Sequence, residues 1–227
     1  MNKAVIAIDS FKGCLTSEEA GSAVMEGIKT IFPDCETLLF PIADGGEGML
    51  DVLISATKGK YRTLPVHGPL MEPMQGRYGI SGDGQTALIE MAAVSGLPLV
   101  PEGKRNPMLT TTYGTGELIL DALEQGCRRF IVGIGGSATN DAGLGALQAL
   151  GFRFLDKRGN RLGTGGKIMS QVASIDTSAV HPALEEARFT IACDVHNPFC
   201  GSDGAAYVFA PQKGAEAGMV KELDEGM

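Results

Sequence analysis

Several short segments of this sequence bring acids, bases and glycines together in patterns suited to phosphate and metal chemistry. In Gly135-Gly136-Ser137-Ala138-Thr139-Asn140-Asp141 the glycines follow an apolar run from Phe130 to Ile134. Backbone N–H groups of Gly135, Gly136 and Ser137, with Asn140 alongside and a helix start beyond, could surround a phosphate. The same glycines also suit a tight strand-to-helix turn with Asn140 or Asp141 as its cap. No Walker A motif occurs, but Gly133, Gly135 and Ala138 satisfy GxGxxA, and Asp156 lies about where a ribose-binding acid would stand in a dinucleotide fold.

Other acids and cations stand at similar places. Asp9, Ser10 and Lys12 directly follow the apolar run Val5 to Ile8, which puts an acid and a base at a cleft edge; a turn-forming Asp and a solvated Lys read equally well. In Pro41-Ile42-Ala43-Asp44-Gly45-Gly46-Glu47-Gly48 two carboxylates flank glycines, an arrangement able to hold hydrated Mg²⁺ or to make a capped turn. Arg105 leads a hydroxyl-rich approach (Asn106, Thr110, Thr111, Thr112, Thr115) and could clamp a substrate carboxylate, unless it is simply solvated. Asp194 and Asn197 follow an apolar run ending at Cys193, where Asn197-Pro198 could merely shape a turn, and Lys213 sits in Pro211-Gln212-Lys213-Gly214. Cys193, His196 and Cys200 lack a fourth ligand and the spacing of a zinc site.

The elements that position these residues can be read from pattern. Val5 to Ile8 is a strand buried on both faces. A capping box at Thr16 to Glu19 opens a helix through Ala20, Val24, Ile28 and Ile31 that Pro33 stops. Glu36 to Ile42 reads as a second strand and Met49 to Ala56 as a helix. From Tyr61 to about Met91 short strands broken by glycines form an antiparallel extension. A helix over Gly116 to Glu124, the strand Phe130 to Ile134, a helix through Leu144, Leu147 and Leu150, and strands at Phe152 to Leu155 and Phe189 to Cys193 follow. Met219, Val220 and Leu223 begin an amphipathic helix of barely two turns, without a recognisable cap. The class is α/β.

Composition limits the partners. A net charge of −8 disfavours nucleic acid and anionic membranes, which attract basic fields, while a small anion needs only a local cluster of donors. Five cysteines without a CxxC pair fit a reducing cytoplasm, and no apolar run approaches the roughly 18 residues of a membrane span.

In order along the chain, AIDSFKG, PIADGGEG, DGQTALIEMAAVSGL, RNPMLTTTYGTGELI, GIGGSATNDAGLGALQALGF, ACDVHNPFCG and FAPQKGA resemble the bacterial glycerate kinase family of the glycerate 2-kinase type. The resemblance covers nearly the whole chain and implies two α/β domains with the active site between them. One would be Rossmann-like, beginning with residues 1–64, and the other would span 65–227 with the antiparallel extension and the glycine loop. It also implies that family members continue further, completing the fold and the cleft. Ala142 and Ala210 replace family glycines, which restricts positive φ there. The implied reaction joins ATP, Mg²⁺ and D-glycerate in the cytoplasm, with the 2-hydroxyl as acceptor. Within that reaction, residue type gives phosphate cradling to Gly135, Gly136, Ser137 and Asn140, and metal or proton handling to Asp44, Glu47, Asp141 and Asp194. Lys12, Arg105 and Lys213 become cationic partners, with Asp9 and Ser10 beside the substrate.

Overall fold

The computed structural model describes residues 1–11, 14–43, 45–46 and 48–227. Lys12, Asp44 and Glu47, singled out above by type, lie outside the described residues. The chain opens with a β-α-β unit: β1 (Lys3–Ile8) and β2 (Glu36–Pro41) pair in parallel, joined by α1 (Ser17–Ile31). The capping box forms as the sequence dictates, with the Thr16 side chain accepting from the Glu19 amide and the Glu19 carboxylate accepting from the Thr16 amide at 2.8 Å. Helix α1 covers one sheet face, where Ile6 is buried and Gly21 packs directly against the tip of the Leu39 side chain. On the opposite face Val5 is 61% and Phe40 54% exposed.

After α2 (Met49–Thr57) comes a five-stranded mixed sheet in the order β3-β4-β5-β6-β9. The hairpin of β3 (Lys60–His67) and β4 (Pro73–Ile80) is the antiparallel extension, and β5 (Thr86–Glu90) pairs antiparallel with β4. Strands β5, β6 (Arg129–Gly133) and β9 (Arg188–Ala192) then run parallel. Between β5 and β6 lie α3 (Ala92–Ser95) and α4 (Tyr113–Glu124), and α5 (Leu144–Ala149) follows β6. Strands β7 (Arg153–Leu155) and β8 (Ser174–Asp176) form a small antiparallel pair, and α6 (Ala205–Phe209) and α7 (Ala217–Gly226) close the described chain. The fold is therefore α/β, with a parallel unit and a mixed sheet carrying an antiparallel extension.

The main core lies between the mixed sheet and α4, where Tyr78, Ile89, Val94, Leu118 and Phe130 are almost fully enclosed. The buried Tyr78 hydroxyl donates to Asp121 Oδ2 at 2.7 Å, and the Arg62 guanidinium meets the same carboxylate, so the polar end of this aromatic is satisfied. Burial raises the Tyr78 phenol pKa above its ordinary value. A second core gathers Met169, Ala206, Ala210, Val220 and Leu223 beneath α6 and α7.

The two alanines that replace family glycines behave differently. Ala210 is fully buried in right-handed helical geometry, with φ −67° and ψ −32°, so its Cβ causes no backbone strain. Ala142 holds φ 51°, a left-handed conformation that an L side chain resists by roughly 1–2 kcal/mol. Its side chain is exposed. Ala142→Gly should therefore raise stability by about 0.5–1 kcal/mol, the strain relieved exceeding the entropy added to the unfolded chain, as read from urea denaturation midpoints at unchanged slope.

Candidate active site

Strands β5, β6 and β9 are in register, so Glu90, Gly133 and Ala192 end side by side at their carboxyl edge. Ligands of open parallel sheets gather at this edge, where loops replace ladder hydrogen bonds. From β6 the chain enters the glycine loop, in which Gly135 and Ser137 are half-buried and Gly136 is exposed with φ 74°. The loop is fixed from behind: Leu97 donates to the Gly136 carbonyl and Ala138 to the Ser95 carbonyl, both at 2.9 Å. Neither the Gly136 amide nor the Ser137 amide finds an acceptor among the described residues. Two adjacent free donors on an exposed glycine turn suit an anion.

Lys213 enters this loop from the opposite side of the molecule. Its Nζ donates to Ser137 Oγ at 2.8 Å and to the Thr139 carbonyl at 2.5 Å, in a site that leaves the residue 7% exposed. Burial lowers its pKa to about 8, and the charge of Asp141 partly opposes the shift. Gly214 packs against the Arg105 backbone with no room for a Cβ, and Arg105 Nε is buried with no hydrogen-bond partner among the described residues. A buried ammonium behind two amides that lack an acceptor among the described residues forms a donor set that fits a phosphate.

Asp141 and Asn140 turn inward instead. The Asp141 side chain, 1% exposed, accepts from the Thr112 amide at 2.8 Å, from Thr112 Oγ1 at 2.9 Å, from Thr111 Oγ1 at 3.3 Å, and from the amides of Gly143 and Gly145. So many donors leave it no lone pair for a cation, and it serves to brace the loop. The hydroxyl-rich segment before α4 has the same destination: Thr110 Oγ1 donates to the Ala138 carbonyl and Thr115 pairs with Ser95, all buried. Asn140 Nδ2 reaches Met227 Sδ at 3.4 Å, away from the open side of the loop.

Asp194 stands exposed two residues beyond β9, and Asn197 Nδ2 donates to the Asp203 carbonyl at 2.9 Å, so the two side chains do not form a pair. Gly45 and Gly46 lie against the ends of β6 and β9. Gly45 carbonyl accepts from the Gly135 amide at 3.4 Å, and a Cβ on Gly133 would stand 2.4 Å from that carbonyl. The turn flanked by Asp44 and Glu47 thus reaches the glycine loop. Asp9 and Ser10 follow β1, where Asp9 Oδ1 accepts from the Ser10 amide at 2.6 Å.

Ser10 also lines a cleft of about 900 Å³ with Thr16, Gly48, Tyr61, Arg77 and Glu90. Sequence reading missed the last three. Arg77 donates to Asp51 at 3.1 Å with its guanidinium carbon 5.2 Å from the Tyr61 ring centre. Glu90 is a carboxylate closing the apolar strand Thr86–Glu90, the same signal that singled out Asp9 and Asp194. Burial raises its pKa, opposed by hydrogen bonds from Leu50 and Gly48.

The dinucleotide fingerprint does not form. No helix opens on the glycines, since α5 starts only at Leu144, and Asp156 sits in the turn after β7, accepting from the Arg158 and Asn160 amides at 2.8 Å.

Fold and site together define an α/β protein with a cation-backed glycine loop at the carboxyl ends of parallel strands, and a cleft that Glu90 lines from the end of a neighbouring strand. The model of the glycerate kinase family matches residues 4–227, and the chain belongs to that family. It is 51% identical to a glycerate kinase of Haemophilus influenzae over 225 residues, 99% of this chain and 60% of that protein. It is 50% identical to the glycerate 2-kinase of Escherichia coli, again over 99% of this chain and 59% of that one. A crystal structure of a glycerate kinase 2 candidate from Salmonella typhimurium LT2 superposes with a TM-score of 0.90 at 47% identity, covering 99% of this chain and 60% of that one. The chain thus spans about 60% of the length of these relatives.

The Lys213 ammonium yields a pH signature. Its folded pKa of about 8 lies below the ordinary 10.5, so between these values the unfolded chain binds more protons and stability rises with pH. Urea unfolding of wild type and Lys213→Met across this window should show wild type gaining on the variant as pH rises from about 8 to 10.5, and no such trend below it. Binding of inorganic phosphate should weaken over the same rise in wild type, as the charge is lost.

Proposed function

We propose that this chain carries the phosphate-handling site of an ATP-dependent glycerate kinase that converts D-glycerate to 2-phosphoglycerate. The observation that carries the reading is the glycine loop: Gly136 and Ser137 amides with no acceptor among the described residues, backed by the Lys213 ammonium. Family membership supports glycerate as the acceptor. ATP would supply the phosphoryl group, and Mg²⁺, held by Asp44, Glu47 or Asp194, would offset its charge. The loop amides and Lys213 would hold phosphate oxygens, while Asn140 would shape the loop rather than touch them.

The substrate hydroxyl must lose its proton as its oxygen bonds to phosphorus. Asp194 would accept that proton, being an exposed carboxylate at the strand edge beside the loop. Lys12, Asp9 and Ser10 would face this edge from the end of β1 and orient glycerate, with Arg105 or Arg77 receiving its carboxylate. The division of the chain near residue 64 and the cytoplasmic setting belong to the same reading. Among the described residues no helix is long and apolar enough to cross a membrane.

The reading is tested by supplying ATP, Mg²⁺ and D-glycerate and following product by ³¹P NMR, which separates 2- from 3-phosphoglycerate. Asp194→Asn should lower kcat by roughly a hundredfold with little change in the glycerate KM if the residue is the base. Partial recovery at high Mn²⁺ would instead make it a metal ligand, and an unchanged rate would remove it from the chemistry. Gly136→Val should abolish nucleotide binding while circular dichroism stays the same, because a β-branched residue resists φ 74° and would shift the backbone that presents the amides.

A further inference from the structure

Two side chains of opposite charge line the cleft without meeting each other. Strands β4 and β5 pair antiparallel with Gly79 opposite Leu88 and Ile80 opposite Ala87, and continuing that register by two residues sets Arg77 opposite Glu90. Side chains alternate along a strand, so both stand on the face of Gly79 and Leu88. Helix α2 covers that face: Leu50 and Ile54 lie against Gly79 and gather with Leu88 in a small core. Arg77 and Glu90 thus flank the first turn of α2, and both belong to the wall of the cleft of about 900 Å³.

Each is anchored on one side and open on the other. Glu90 Oε2 accepts from the Gly48 amide at 3.1 Å and from the Leu50 amide at 3.2 Å, while Oε1 has no hydrogen-bond partner among the described residues. Arg77 Nη2 donates to the Asp51 carboxylate at 3.1 and 3.4 Å. The guanidinium lies over the Tyr61 ring, whose hydroxyl donates to the same carboxylate at 2.8 Å. Among the described residues Arg77 Nε and Nη1 have no hydrogen-bond partner. The ion pair of Arg77 runs to Asp51 and not to Glu90, although opposite charges across a strand pair favour one. Burial raises the Glu90 pKa and the Arg77 charge is among the influences that hold it down, so the two groups lie within electrostatic reach.

A fixed guanidinium with open N–H groups and a fixed carboxylate with one open oxygen suit a short ligand that has a carboxylate at one end and a hydroxyl at the other. A dicarboxylate would set like charges together at Glu90, and a neutral polyol would leave Arg77 unmatched. The place also suits the acceptor in a phosphoryl transfer, because α3 has the cleft on one side and the glycine loop on another. Ala93 lines the cleft, whereas the Cβ of Ala92 is the atom nearest a Cβ built on Gly136, at 3.4 Å.

We propose that Arg77 and Glu90 form the acceptor subsite, with Arg77 binding the carboxylate of a short dihydroxy acid and Glu90 Oε1 accepting from the hydroxyl that is not phosphorylated. This deepens the glycerate kinase reading and rests on it. Glu90 makes the subsite selective for an acid with a second hydroxyl.

The test is calorimetric titration of the full chain, of Glu90→Gln and of Arg77→Met with D-glycerate and with D-lactate, which keeps the carboxylate and the 2-hydroxyl but lacks the 3-hydroxyl. In Glu90→Gln the amide oxygen can keep the Gly48 and Leu50 bonds, which turns the NH₂ group to the cleft and removes the acceptor. Circular dichroism and amide exchange at Gly48 and Leu50 verify that this variant keeps its fold. Wild type should bind D-glycerate roughly tenfold or more tightly than D-lactate. Glu90→Gln should bind D-glycerate roughly tenfold more weakly than wild type and D-lactate within about twofold of it. Arg77→Met should weaken both acids by roughly tenfold or more, since both carry the carboxylate. Equal loss for the two acids in Glu90→Gln, or loss for neither, would overturn the proposal, as would unchanged binding in Arg77→Met. A wild type that binds ATP but no D-glycerate would also overturn it while leaving the phosphate loop reading in place. The expected binding pattern without turnover would support the subsite and count against the kinase reading alone.

Discussion

At the carboxyl ends of β6 and β9 three backbone segments meet with no side chains between them, and the rest of the site depends on that approach. Gly133, Gly135 and Gly45 lie within distances at which a Cβ would collide with a neighbouring backbone atom. Because these glycines bring main chain against main chain, the turn leading into α2 lies at the same edge as the glycine loop. Substituting any of them would part the two loops long before the sheet itself failed, since the core between sheet and α4 lies elsewhere. Glycine here is costly in conformational entropy, roughly 0.5–1 kcal/mol relative to alanine in regular structure, and the close approach offsets that cost through geometry no other residue allows.

What holds the glycine loop in shape is mostly polar and mostly buried. Asp141 gathers the threonines ahead of α4, Thr110 ties the Ala138 carbonyl, and Lys213 ties Ser137 and Thr139 from the α6 side. Each of these groups would be expensive to bury unpaired, so the network is stable only when complete. That completeness explains how the loop can present two amides that have no acceptor among the described residues. Its conformation is enforced by the groups behind it, and the free donors in front do not need a ligand to stay in place. Preorganised donors of this kind are what phosphoryl transfer requires, because they need no rearrangement as charge develops.

Sequence pattern revealed most of the fold. The capping box at Thr16, the period of α1, the strand ending at Gly133 and the glycine-broken extension all form where local chemistry places them. It could not tell which polar residues of a segment face a ligand and which face the protein. Asp141 and Asp194 both follow an apolar run within a few residues, yet one is enclosed by five donor groups and the other stands in water. Thr110 to Thr112 read as an approach to a substrate because hydroxyls are polar, whereas burial turned them into braces. Glu90 was passed over for the opposite reason: a single acid at the end of an apolar strand gives no local sign that its acceptor will cap a helix 40 residues earlier. Such pairings are properties of the assembled sheet.

The first β-α-β unit follows a different rule from the mixed sheet. Its helix covers one face, and the run Val5 to Ile8 reads as buried on both, yet Val5 and, beside it, Phe40 remain largely exposed. A two-stranded sheet with one covered face buries too little apolar area to be independently robust, at roughly 25 cal/mol per Å² set against the entropy of ordering its residues. The unit packs mainly on itself and borders the cleft beyond the carboxyl end of β1. Ser10 and Thr16 lie on one side of that cleft and Arg77 and Glu90 on the other. Strand ends therefore contribute to both walls, with Ser10 beyond β1 on one side and Glu90 at the end of β5 on the other.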